Sequence, residues 1–171
     1  AAFALPGKEE RADDWYILTI TTQGMVKKSL ITDLPGASAH LFALAKVNPG
    51  DSLGWVHLTN GKEQVLLATA DGMAILFGED DVRPMGLVAA GVMGIKLQDR
   101  DELVAAEILS PRSEVLLVAT DGSAKRIASS LFPLQGRYGQ GVVAWKLPRE
   151  VRVVGMMVGK PNTRATLTLA D

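Results

Sequence analysis

Cysteine is absent from the 171 residues, which excludes disulfides and thiolate metal centres and fits a reducing compartment. Histidine is nearly absent: His40 and His57 are too few and too isolated to found a metal centre without carboxylate help. Aromatic residues make up only 5% of the chain, and Trp15, Trp55 and Trp145 fall within apolar runs, where they read as core or interface packing rather than stacking platforms. Neither sign of charge dominates. With 18 Lys plus Arg against 19 Asp plus Glu, the net charge of -1 gives no global pull toward nucleic acid, so any such binding must come from local arrangement. The longest apolar runs, such as 87-LVAAGVMGI-95, fall well short of the ~20 residues of a membrane span, and no membrane partner is expected. The start, 1-AAFALPGKEERADD-14, has no basic region and turns acidic at once, unlike a signal peptide; Ala1 in place of an initiator methionine predicts a chain cut from a longer one. Walker-type and dinucleotide-binding patterns are also missing. Asp99, Asp101 and Glu102 lack the ligand spacing of a calcium loop and read as turn charges.

What the chain does have is internal repetition. Hydrophobic residues make up 47% and charged residues 22%, the balance of a folded globular chain. The segments 15-WYILTITTQGMVKK-28, 64-QVLLATADGMAILF-77 and 114-EVLLVATDGSAKRI-127 each read as an apolar strand, a turn ending in Gly24, Gly72 or Gly122, and a second strand. These glycines lie 48 and 50 residues apart. Three stretches, 42-FALAKV-47, 92-VMGIKL-97 and 142-VVAWKL-147, bring Lys46, Lys96 and Lys146 into register at intervals of 50 and 50, and each is followed by a further apolar run. The unit is about four strands in roughly 50 residues, the size of a propeller-type blade. Near-continuous apolar strands imply burial on both faces, as in stacked blades. Gly91 and Gly94 argue against the rival helical reading of residues 87–97. The expected organisation is all-β: complete four-stranded blades over 14–60, 61–110 and 111–160, with partial blades at 1–13 and 161–171. Its exposed blade edges suggest self-association.

The ordered recurrence of these elements, above all 68-ATADGMAILFGEDDVRPMG-86 and 134-LQGRYGQGVVAWKLP-148, resembles the C-terminal domain shared by the A subunits of DNA gyrase and topoisomerase IV. The resemblance covers essentially the whole chain. It implies a β-pinwheel, a propeller-like ring whose basic rim binds and bends double-stranded DNA, in a bacterial cytoplasmic, nucleoid-associated enzyme. The implied protein partners are an ATPase subunit together with the rest of the A subunit. No cofactor and no catalytic residue are expected in this part. In that family one blade carries a loop of pattern Gln-Arg-Arg-Gly-Gly-Arg-Gly. Here 135-QGRYGQG-141 keeps Gln135, Arg137, Gly139 and Gly141 and departs at Gly136, Tyr138 and Gln140. The middle repeat has 85-MGLVAAG-91 at the same place, with Gly86 and Gly91 retained and the basic residue lost. The loop therefore reads first as a structural turn. Tyr138, although it follows an arginine as the DNA-cleaving tyrosine of these enzymes does, lacks the acidic metal-binding cluster that tyrosine works with and reads as a rim aromatic.

The expected DNA contacts are cations at equivalent places: Lys27 and Lys28 in the first repeat, Lys125 and Arg126 in the third, Lys46, Lys96 and Lys146 in all three, and Arg137. The middle repeat has Ile75 and Leu76 in place of the paired cations. It also adds Glu79, Asp80, Asp81, Asp99, Asp101 and Glu102, which would repel a duplex. Two readings compete. One is a non-catalytic DNA-binding and DNA-bending module of a type IIA topoisomerase, working through backbone contacts without base readout. The other is a protein-interaction propeller that has lost DNA binding. A propeller enzyme lacks any convergent acid, base or metal set.

Overall fold

The computed structural model describes residues 14–36, 40–164 and 166. Its strands come in a repeated order: β1 (Tyr16–Thr21), β2 (Met25–Leu30) and β3 (Leu53–Thr59), then β4 (Gln64–Thr69), β5 (Met73–Gly78), the short β6 (Val92–Met93) and β7 (Leu103–Ile108). The third repeat supplies β8 (Glu114–Ala119), β9 (Ala124–Ala128), the short β10 (Leu134–Gln135) and β11 (Val142–Val143), and β12 (Val153–Gly159). Residues 87–97 are not helical. Among the described residues the only helical turns are single 3-10 turns at Ile31–Asp33, Glu79–Asp81 and Ser129–Leu131, and no helix is long and apolar enough to cross a membrane.

Each repeat opens on a hairpin whose turn is closed the same way. Gly24 N–H donates to Thr21 O (3.0 Å), Gly72 N–H to Thr69 O (3.1 Å) and Gly122 N–H to Ala119 O (3.0 Å). All three glycines have φ between +80 and +84°, where a side chain would be strained. The long third strand then pairs antiparallel with the first strand of its own hairpin: β3 on β1, β7 on β4 and β12 on β8.

The fourth strand corrects the sequence reading. The pattern places it within each repeat, at 42–47, 92–97 and 142–147; instead the following repeat donates it. β6 pairs with β2, matching Met25 to Met93 and Val26 to Val92. β10 and β11 both pair with β5, at Leu76 to Leu134 and Ala74 to Val142. The stretch 42–47 forms no strand. The reason is the hydrogen-bonding edge: the first strand of each hairpin is flanked on both sides, whereas the second keeps one edge open. The boundaries 14–60, 61–110 and 111–160 thus delimit sequence repeats, while the sheets cross them. Of the expected terminal partial blades, 1–13 lies outside the described residues, as do residues 165 and 167–171 of 161–171; the described residues 161–164 and 166 belong to no strand.

The middle hairpin is apolar on both faces because it lies between two cores. Val65, Leu67, Ile75 and Phe77 join Leu18, Ile20 and Val26 of the first sheet. Their alternates Leu66, Ala68, Ala74 and Leu76 join Val115, Leu117 and Ile127 of the third. Strand alternation sends successive side chains to opposite sides, so a sheet covered on both faces loses the polar half of its pattern.

A carboxylate secures the turn region of two repeats. Asp51 Oδ1 accepts from Thr22 Oγ1 (3.1 Å), Gln23 N–H (2.9 Å) and Ser52 N–H (2.7 Å). Its counterpart Asp101 accepts from Asp71 N–H (3.0 Å) and Glu102 N–H (2.9 Å). In the third repeat Val151 stands there, and Arg152 reaches back to Asp71 (3.4 Å) and Asp101 (3.5 Å) of the second. Burial alone would raise the Asp51 carboxyl, but hydrogen bonds from Thr21, Gln23, Ser52 and Thr22 outweigh it and hold the group below its ordinary value of 3.8. A depressed carboxyl contributes stability that is present in full above its unfolded pKa and lost as pH falls through the folded one. Asp51→Asn should therefore cost about 1–2 kcal/mol at neutral pH. In urea melts at several pH values, the gap to the parent should close below the ordinary carboxyl range; a gap constant down to about pH 2 would show that charge plays no part.

Candidate nucleic-acid interface

The eight cations expected on one face separate into distinct environments. Lys46, Lys96 and Lys146 are exposed, as the register predicts. The backbones of the first two are set by the seams between repeats: Lys46 N–H donates to Ala89 O (3.2 Å) and Lys96 N–H to Gly139 O (2.9 Å). The loop of one repeat thus fixes the lysine of the repeat before it.

Lys27 and Lys28, expected on the rim, are instead buried, at 1% and 4% exposure. They lie on β2, enclosed between β1 and the donated β6. Lys27 Nζ donates to Leu44 O (2.6 Å) and to Leu87 O (3.0 Å) of the next repeat. Lys28 Nζ donates to Glu79 O (3.1 Å) and Gly61 O (3.4 Å) and lies 5.0 Å from the centre of the Tyr16 ring. Burial pushes the Lys27 ammonium below its ordinary pKa of 10.5, with Asp33 opposing the shift. Neither ammonium is free to meet a phosphate.

Lys125 and Arg126 occupy the same two places in the third repeat and are exposed. Lys125 Nζ donates to Ala144 O (2.6 Å), the counterpart of the Lys27 bond to Leu44 O. Arg126, with a side chain 71% exposed, pairs with Glu114 at 3.6 Å. In the middle repeat Ile75 replaces the lysine, and the equivalent carbonyl, Gly94 O, accepts from Tyr138 N–H (2.7 Å) instead. A backbone carbonyl at one register position is therefore satisfied by a lysine in two repeats and by a loop amide in one. The 50-residue spacing of Leu44, Gly94 and Ala144 is visible in the sequence, but main-chain acceptors carry no residue code.

Arg137 also departs from its expected role. Its Nε donates to Asp81 O (3.0 Å) and its Nη1 to Met93 O (3.2 Å), so the guanidinium fastens the third repeat's loop onto the second. Around it the loop is a turn. Gln135 lies in β10, Gly136 and Gln140 are exposed, and Gly139 bridges Ile95. Tyr138 stands at the apex with φ +67° and is 52% exposed. Gly141 and its counterpart Gly91 approach the preceding sheet so closely that an added Cβ would lie 2.2 Å from Ala74 O and 2.5 Å from Val26 O, respectively.

The acidic load is smaller than expected. Glu79 is buried, accepting from Thr59 Oγ1 (2.5 Å) and Glu63 N–H (3.2 Å), and Asp101 is buried in the turn described above. Asp80, Asp81, Asp99 and Glu102 remain exposed. His57 Nε2 lies 2.8 Å from Ala106 O across the first two sheets, and Trp55 and Trp145 pack half-buried against the cores. Among the described residues, no group of three or more His, Asp or Glu is placed to hold a metal ion.

The sequence matches the family described as the DNA gyrase C-terminal domain, beta-propeller, over residues 16–40, 63–110 and 113–160. It is 37% identical over 142 residues to the DNA gyrase A subunit of Salmonella typhimurium, covering 81% of this chain and 16% of that protein. It is 40% identical over 130 residues to the DNA topoisomerase 4 A subunit of Bacillus subtilis, covering 75% and 16%. The chain thus spans about one-sixth of the length of these relatives. The fold superposes on the C-terminal domain of DNA topoisomerase IV with a TM-score of 0.81 and 28% identity, over 86% of this chain and 47% of that one. The E. coli ParC C-terminal domain shares the fold with a TM-score of 0.72 at 17% identity, over 86% and 63%. With three tandem matches in one register and strand exchange between the repeats, the chain belongs to the DNA gyrase C-terminal domain family of beta-propellers.

Proposed function

We propose that this chain is a DNA-binding and DNA-bending module of a type IIA topoisomerase, non-catalytic in itself and acting in the bacterial cytoplasm with an ATPase partner and the rest of the A subunit. The observation that carries the reading is the row of exposed lysines, Lys46, Lys96 and Lys146, one per repeat at equivalent places. Family membership adds the context: its relatives are named as gyrase and topoisomerase 4 subunits. Lysines recurring along an array suit phosphates recurring along a duplex. Backbone contact of this kind is independent of base sequence, and no recognition helix is present among the described residues.

Arg126 extends the row, whereas the burial of Lys27 and Lys28 and the bonds of Arg137 and Lys125 to main-chain carbonyls shorten it. About three to five phosphates would be neutralised, so log K should fall with a slope of roughly -3 to -4.5 against log salt. Titration of a fluorescent duplex spanning several repeats, at a series of salt concentrations, tests this directly. Salt-steep, sequence-tolerant binding is expected. No binding at low salt would favour the second reading, a protein-interaction propeller, which draws on the near-neutral net charge and the burial of two cations.

A further inference from the structure

We propose that the duplex-gripping unit of this chain is the seam between consecutive repeats: an exposed lysine of one repeat together with the apolar loop apex of the next, Lys46 with Val88 and Lys96 with Tyr138. The inference rests on the DNA-binding reading and deepens it by naming the contacts. Val88 and Tyr138 lie 50 residues apart at the same register position and are 82% and 52% exposed. Isolated exposed apolar residues need no explanation. Here the exposure recurs, each time with the same neighbour.

The neighbour is fixed by backbone bonds. Lys46 N–H donates to the carbonyl of Ala89, the residue after Val88, and Lys96 N–H donates to the carbonyl of Gly139, the residue after Tyr138. At the second seam the clamp is tighter. Tyr138 N–H donates to Gly94 O (2.7 Å), Gly139 bridges Ile95, and Arg137 beside it is held by two carbonyls of the second repeat. A large apolar side chain held at a rigid apex loses little freedom on binding, which is what makes an exposed residue useful at an interface. The chemistry that matches an ammonium beside an apolar surface is the sugar–phosphate backbone: phosphate on the lysine, the face of the deoxyribose on valine or tyrosine. Among the described residues no such apex lies beside Lys146, which makes Lys146→Gln the comparison for charge without an apex.

The two components separate experimentally, because a lysine acts through counterion release and an apolar apex does not. Duplex binding is measured against salt for the parent chain and for Lys96→Gln, Tyr138→Gly, Val88→Ser and Lys146→Gln. Glycine preserves the left-handed backbone of position 138, and Val88→Ser tests the other seam should Tyr138→Gly melt early. Both lysine variants should lower the salt slope by about 0.9. Tyr138→Gly and Val88→Ser should weaken binding about fivefold to tenfold with the slope unchanged, the scale expected for partial burial of one apolar side chain. If the parent shows no salt-dependent binding, the DNA reading itself fails. If the parent binds and both apex variants stay within about twofold of it, the seam proposal is overturned while the DNA reading stands.

Discussion

Gly141→Ala is expected to destabilise the chain by about 2–5 kcal/mol, combining the strain of a left-handed alanine with overpacking of a closed interface. Its φ is +77°, and the added methyl would stand 2.2 Å from Ala74 O and 2.7 Å from Ala74 C, main-chain atoms of β5 that cannot turn aside. The damage should centre on the seam, where β11 leaves β5 and Trp145 loses its packing against the core. A fall in melting temperature of roughly 5–20 °C is the expected reading. Gly136→Ala in the same loop is the control: nothing lies within 4 Å of its Cβ position and it should be close to neutral. Equal melting of the two variants would mean that the seam relaxes freely.

Lys27→Met is the second substitution with a large expected effect. It keeps the unbranched stem and removes the ammonium, leaving Leu44 O and Leu87 O without the donor that bridges two repeats. Charge-assisted bonds to buried carbonyls are worth more than neutral ones, and the loss should be about 2–4 kcal/mol, partly offset because the variant buries no charge. The salt slope of duplex binding should stay where it was. A slope lowered by about 0.9 would place Lys27 on a phosphate and contradict its burial.

The repeat, its hairpins and its turn glycines were legible because each rests on local chemistry: apolar runs of strand length, a left-handed turn position, a fixed period. The seams were not. Val92 and Val142 read as strand residues in the sequence, but whether they pair within their own repeat or with the one before is set by which edge is open, a property of the assembled sheets. The site was half legible for the same reason. Recurrence anticipated the shared exposure of Lys46, Lys96 and Lys146, whereas the burial of Lys27 was hidden from it because the loop that covers this lysine belongs to the following repeat. Composition likewise overstated the acidic charge facing solvent, since Glu79 spends its carboxylate on Thr59 and Glu63.

The donated strands also set a timetable for synthesis. β2 cannot be completed until residues 92–93 have emerged, and β5 waits for 134–135 and 142–143. At about 5–20 residues per second, a lag of one repeat leaves each nascent hairpin with a bare edge for several seconds. Charges on an unpaired strand deter it from joining a wrong neighbour, so Lys27 and Lys28 would guard that open edge until the loop that buries them has been made, and would become fastenings only then.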